Sequence, residues 1–167
     1  EITNEKAHGQ NLGEKYRLIA FDSNDPHKST ADGVSKEEIN WVCEQADKAY
    51  ADGRYPILMM HHNLLDHMPL QSIFSKDFIV QFHYSTADLF ANWGIKLVFT
   101  GHEHCSDAAV YTSTIGNKIY DFATTSLTMY PLQYRYIEMH EEAIIYESRT
   151  VDKIDTDALK EMIPDYT

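Results

Sequence analysis

IKLVFTGHEH, residues 95–104, decides the reading of this chain: a short apolar run followed at once by a glycine and two histidines one residue apart. An apolar run of this length, closed by glycine, is too short for a typical helix and suits a strand buried on both faces. In an extended segment side chains alternate, so His102 and His104 are expected on one side and Glu103 on the other. Gly101 is expected to serve the abrupt turn, where a residue without a Cβ fits.

A second apolar run, YPILMMHH at 55–62, ends in His61 and His62. Open α/β sheets gather ligands outside the carboxyl ends of their strands, and two such ends are neighbours when their strands pair across an intervening helix. A lone His-His or His-x-His is commonly structural, but the pair of them, each behind a buried strand, points to metal binding. Neutral imidazole suits zinc, iron, nickel and copper and tolerates manganese.

Outward from these runs, YRLIAFDSND (16–25) reads as a strand entering a loop. Ser35 stands three residues before Glu38, the spacing of a capping box, and Ile39, Val42, Cys43, Ala46 and Ala49 recur at helical spacing up to Gly53. Residues 68–76 read as loop, and Ser85 as the N-cap of a helix running through Trp93 and stopping at Gly94. IYDFATTS, QYRYIEMH and AIIYESRTV read as strands, the last two forming a hairpin, with a short helix expected over 155–163. The fold class is therefore α/β with a mixed sheet and flanking helices, 1–15 forming a polar lead-in and 16–167 the folded portion.

The 167 residues are 43% apolar with a mean hydropathy of -0.44, enough for one folded domain. A formal charge of -12, with Asp+Glu 26 against Lys+Arg 14, offers no basic cluster to release counterions from nucleic acid, so no nucleic-acid surface is expected. An acidic chain that handles phosphate needs local positive charge, which bound cations supply. Cys43 and Cys105 form no CxxC pattern, and no apolar run is long enough to span a membrane. The polar opening from Glu1 resembles neither a start nor a signal peptide. The compartment is left open among secretion, the cell envelope and the cytoplasm.

MMHHN and TGHEH, in this order, resemble the last two of the five sequence blocks of the calcineurin-like metallophosphoesterases. LIAFDSN, INWVCEQ and YDFATTSLTMYPLQYRYIEM are similar to bacterial members, so the likeness covers about residues 16–151. The resemblance implies the second half of a four-layer αββα sandwich, and hydrolysis of a phosphomonoester or phosphodiester with two divalent metal ions, Mn, Fe or Zn. It implies that His61 and His102 ligate one metal and His104 the other, with His62 standing behind the ligands. Asn63 occupies a place where many relatives have proline. The blocks Asp-x-His, Gly-Asp and Gly-Asn-His are absent, so the chain is expected to be a C-terminal portion whose N-terminal half would bring the general-acid histidine. No catalytic residue is assigned within it, weak or partial metal occupancy and little turnover are expected of it alone, and self-association through the truncated face is expected.

Other residues weigh less. Cys105 reads as a small packing residue, His67 and His83 as solvated or structural, with His67 a minor candidate for substrate contact. Tyr130, Tyr134 and Arg135 read mainly as packing and surface residues, and Asp152, Asp155 and Asp157 as a solvated face. Two rival readings are a noncatalytic metal-binding or structural module and a metal hydrolase of another bond type.

Overall fold

A computed structural model describes residues 7–24, 34–140 and 142–153. Its frame is a six-stranded mixed sheet in the order β1-β2-β3-β4-β6-β5, formed by β1 (Ala7–Leu12), β2 (Tyr16–Phe21), β3 (Tyr55–Met59), β4 (Leu97–Thr100), β5 (Asp107–Thr112) and β6 (Lys118–Ala123). The four inner strands are parallel, and the two edge strands pair antiparallel with their neighbours. A separate hairpin, β7 (Gln133–Met139) with β8 (Ile144–Thr150), pairs in the register Gln133 to Thr150.

The α1 helix (Lys36–Ala51) begins where its capping box requires. Glu38 N–H donates to Ser35 Oγ at 3.2 Å, and Ser35 N–H donates to Glu38 Oε2 at 2.7 Å. Val42, Ala46 and Ala49 line its buried face. The α3 helix (His83–Asn92) starts two residues before the expected Ser85 cap. Phe82, in the left-handed region at φ 53°, turns the chain there, and its carbonyl accepts from Thr86 N–H at 3.0 Å. Asp66 holds this first turn by accepting from Tyr84 Oη at 2.8 Å and facing His83 Nε2 at 3.2 Å. Gly94 ends the segment as expected: its φ is +87°, and a Cβ there would collide with the Tyr50 hydroxyl.

Alternation sorts the sheet into two faces. Ile19, Leu58, Val98 and Ile119 point to one, where they form a single core with Val42 and Ala46 of α1 and Ala87, Phe90 and Ala91 of α3. Leu97, Phe99, Tyr120 and Phe122 belong to the other, where Tyr146 of the hairpin packs on Phe122 with ring centroids 4.8 Å apart. That cover is incomplete, for Tyr55, Met59 and Tyr120 stay exposed.

Three sequence expectations change. The polar lead-in is not outside the fold, because 7–12 pair residue by residue with 16–21, an edge position that tolerates His8, Gln10 and Asn11 on a half-wetted strand. β5 was not foreseen, its Asp-Ala-Ala start being poor in strand formers, and it is secured by antiparallel pairing through the Ser113–Asn117 turn. The 68–76 loop contains a four-residue α2 (Gln71–Phe74) and leads into a 3-10 turn at Lys76–Phe78. The expected helix over 155–163 lies outside the described residues. Among the described residues, no helix is long and apolar enough to cross a membrane.

Phe90 is fully buried at the α3–sheet contact, so Phe90→Ala is expected to cost about 3–5 kcal/mol through lost burial and a residual cavity. Loss of the Ser35 cap in Ser35→Ala is expected to cost about 1 kcal/mol. Urea unfolding of both variants checks this ranking, and a Ser35→Ala loss equal to that of Phe90→Ala would refute it.

Candidate metal centre

The parallel pairing of β3 with β4 brings the two histidine-bearing ends side by side. The ladder runs on past both strands: Met60 N–H donates to Phe99 O at 3.1 Å and Gly101 N–H to His61 O at 3.0 Å. His61 and His102, forty-one residues apart, consequently meet with Nε2 and Nδ1 2.6 Å apart and ring centroids at 4.4 Å. His62 lies at 5.0 and 4.6 Å from those two rings. Each of the three offers a ring nitrogen, all within 4.8 Å of one another.

Their surroundings differ. His61 is exposed and His102 partly buried against the Phe78 ring at 4.6 Å. His62 is 0% exposed, and Ser23 grips it twice: Oγ accepts the His62 backbone N–H at 3.0 Å and lies 2.9 Å from Nδ1. Three close imidazoles of graded exposure form a donor set that fits a divalent transition metal.

His104 is not in this three-ring group. Its Nδ1 lies 2.9 Å from the Met129 thioether, and its carbonyl accepts from Thr125 Oγ1 at 2.6 Å. The alternation argued for His102 and His104 does not operate, because β4 ends at Thr100. Both histidines adopt left-handed backbone, φ 62° and 54°, and a tight turn closes over His102, where Glu103 N–H donates to Gly101 O at 2.7 Å. Gly101 is likewise not forced to be glycine: a Cβ there meets only ordinary contacts, 3.8 Å from His61 O and 3.9 Å from Thr124 O.

A buried polar network supports these loops, and most of it escaped the sequence reading. Asp121, fully buried on β6, accepts from Leu64 N–H at 2.7 Å, Leu65 N–H at 2.9 Å and Thr100 Oγ1 at 2.6 Å. Asn63 Nδ2 donates to Thr100 Oγ1 at 2.8 Å, and its Oδ1 accepts from Gln71 Nε2 at 2.9 Å. Gln71 returns a hydrogen bond to the backbone by accepting His67 N–H at 2.7 Å. The signal in the sequence was Asp121 itself, a charge at a core-facing position of IYDFA.

His67 is buried here, not solvated. Its Nδ1 meets Asp107 Oδ2 at 3.0 Å, and Nε2 lies 3.3 Å from Asp121 Oδ2, off the line of a good hydrogen bond. Arg135 is a packing residue, donating to Ala123 O at 2.9 Å and Ser148 Oγ at 2.8 Å. Cys105 is a partly buried free thiol. Of the acidic trio near the end, Asp155 and Asp157 lie outside the described residues.

Fold and site together define an α/β protein with a mixed six-stranded sheet, flanking helices and three imidazoles at adjacent strand ends able to hold a metal ion. The chain is similar in structure to a dimetal phosphatase from Danio rerio, with a TM-score of 0.62 over 86% of this chain at 10% sequence identity. It spans 57% of that protein's length, and at such identity the likeness is one of fold. No family model matches the chain. No curated protein matches it in sequence.

Burial opposes charge on His67, but the Asp121 carboxylate and then Asp107 outweigh it and hold the pKa above the ordinary histidine value. A raised folded-state pKa contributes stability that is complete below the unfolded value, about 6.5, and lost as pH rises through the folded value. Urea midpoints are therefore expected to carry a component that falls above about pH 6.5 and vanishes in His67→Gln. An identical pH profile in wild type and variant would show that His67 titrates alike folded and unfolded.

Proposed function

We propose that this chain is the metal-binding C-terminal portion of a metallophosphoesterase that hydrolyses a phosphomonoester or phosphodiester. The observation that carries the reading is the meeting of His61 Nε2 and His102 Nδ1, 2.6 Å apart at the ends of adjacent parallel strands. The likeness of fold to a dimetal phosphatase supports it. In this reading His61 and His102 hold one divalent cation, His104 a second, and His62 braces the pair from behind, its ring tied to Ser23. Mn, Fe and Zn all suit the donors. The chemistry that bound cations supply is Lewis-acid polarisation of the phosphoryl group and activation of water. The protein's own part is to fix the imidazoles: the ladder bond from Gly101 to His61 sets one against the other, and Phe78 limits the motion of His102. In this reading the general acid lies outside this chain.

A second reading has an observation of its own. The compact group is His61, His62 and His102, without His104, as a single-cation, noncatalytic module would have it. A metal hydrolase acting on another bond would share the same donors. Metal titration of this chain by calorimetry with Mn²⁺ or Zn²⁺, and assays of the longer gene product on an aryl phosphate and an aryl ester, separate the three. We expect two sites, at least about tenfold weaker binding in His61→Ala and His102→Ala, and turnover of the phosphate alone. One site with no turnover selects the module, and ester turnover selects the other hydrolase.

The reading also includes self-association, or a partner chain, over the second sheet face, where Tyr55, Met59 and Tyr120 are exposed. Sedimentation velocity is expected to show association at high concentration, and a clean monomer overturns it.

A further inference from the structure

We propose that β8 pairs edge to edge with β8 of a second copy of this chain, antiparallel and centred on Ser148, joining two hairpins into one four-stranded sheet. The proposal sharpens the self-association included in the reading above and does not depend on metal.

Among the described residues β8 has a neighbour on one side only, β7. From Ile145 to Thr150 every one of its residues is exposed. A strand edge carries a row of unpaired N–H and C=O groups, and proteins commonly blunt it with proline, lysine or a bulge. The β8 sequence IIYESRT contains neither proline nor lysine, and its register with β7 runs unbroken from Ile144 to Thr150. A two-stranded sheet is also the smallest there is, and further strands stabilise it.

The hydrogen bonds at the two ends of the hairpin show which groups of β8 remain for a partner. His140 N–H donates to Ala143 O at 2.9 Å, and Val151 N–H donates to Leu132 O at 3.0 Å. Hydrogen-bonded and non-hydrogen-bonded pairs alternate along an antiparallel ladder. Ile145, Glu147 and Arg149 therefore bond to β7, whereas Tyr146, Ser148 and Thr150 aim their main-chain groups at the free edge. A second β8 must match these outward residues with its own. Centred on Ser148, the pairing sets Tyr146 against Thr150 as a hydrogen-bonded pair on each side of the axis. Glu147 then faces Arg149 of the second copy in a non-hydrogen-bonded pair, where side chains come closest.

The charges choose this register. Moving the centre by one residue sets Glu147 opposite Glu147 or Arg149 opposite Arg149, both repulsive. Within one chain the two are already held on the same face, Arg149 Nη2 2.9 Å from Glu147 Oε2 and its guanidinium 3.6 Å over the Tyr136 ring. The pairing thus closes a square of alternating charges, two from each copy, without moving a side chain far. Charges that keep an unrelated strand away are complementary to a second copy of themselves.

Sedimentation velocity in about 0.15 M salt, which screens charges beyond about 8 Å, tests the pairing despite the net charge of -12 on each copy. We expect a reversible wild-type dimer, weakened at least about tenfold in Glu147→Arg and in Arg149→Glu, each of which sets like charges opposite. An equimolar mixture of the two variants is expected to dimerise again, since arginines at 147 and 149 of one chain then face glutamates of the other. Both variants lack the bridge within the chain, so recovery on mixing reports contact between chains. A wild-type monomer, or a mixture that stays monomeric, overturns the pairing. Dimerisation undiminished in both single variants overturns it too, and assigns association to the exposed sheet face with Tyr55, Met59 and Tyr120. Only the monomer also removes self-association from the proposed function.

Discussion

Asp121 places a carboxylate, wholly out of water, at a core-facing position in the middle of a parallel strand, and the local structure is organised to satisfy it. A buried charge left without partners costs several kcal/mol, whereas each hydrogen bond to a charged group contributes roughly 1.5–3 kcal/mol. The partners come from two places, Leu64 and Leu65 N–H on the loop after β3 and Thr100 Oγ1 at the end of β4, and His67 Nε2 lies 3.3 Å away on that same loop. Because one group on β6 draws on both, the ends of β3 and β4 are fixed relative to it and to one another. Those two strand ends carry His61, His62 and His102.

The histidine cluster takes its position from this arrangement. Asn63, immediately after the paired histidines, sends its amide to Thr100 and receives Gln71, so the loop that leaves β3 is stapled to the end of β4. A proline there would keep φ fixed but lose the Asn63 N–H that donates to Phe78 O at 3.0 Å. Asparagine at this position thus supplies side-chain and main-chain hydrogen bonds of which proline is incapable. His104 is held by a different part of the molecule, the segment after β6, and is not in the three-imidazole group.

Where local chemistry is decisive, the sequence was legible. Ser35 and Glu38 announce α1 because both halves of the capping box lie within four residues. The runs at 55–59 and 97–100 announce β3 and β4 because a short continuous apolar run reads as a strand, although only one of its faces is fully buried, Tyr55 and Met59 staying exposed on the other. The hairpin of β7 and β8 was legible for its alternation and short connection. Where partners from distant sequence decide, it was not. β1 is polar and is a strand only because β2 offers it an unpaired edge. The start of α3 is set by Asp66, seventeen residues before His83. Asp107 gains its role only from His67, forty residues earlier.

By itself, the sequence determined that two buried strands end in histidines and that α1 lies between β2 and β3, since apolar run length and capping are properties of neighbouring residues. Only the tertiary structure decided which imidazoles meet. The sequence spacing of His102 and His104 suggests a shared face, yet the strand stops at Thr100 and both residues turn left-handed, so strand alternation does not orient them. His61 and His102 join instead, because parallel pairing aligns strand ends irrespective of the distance between them along the chain.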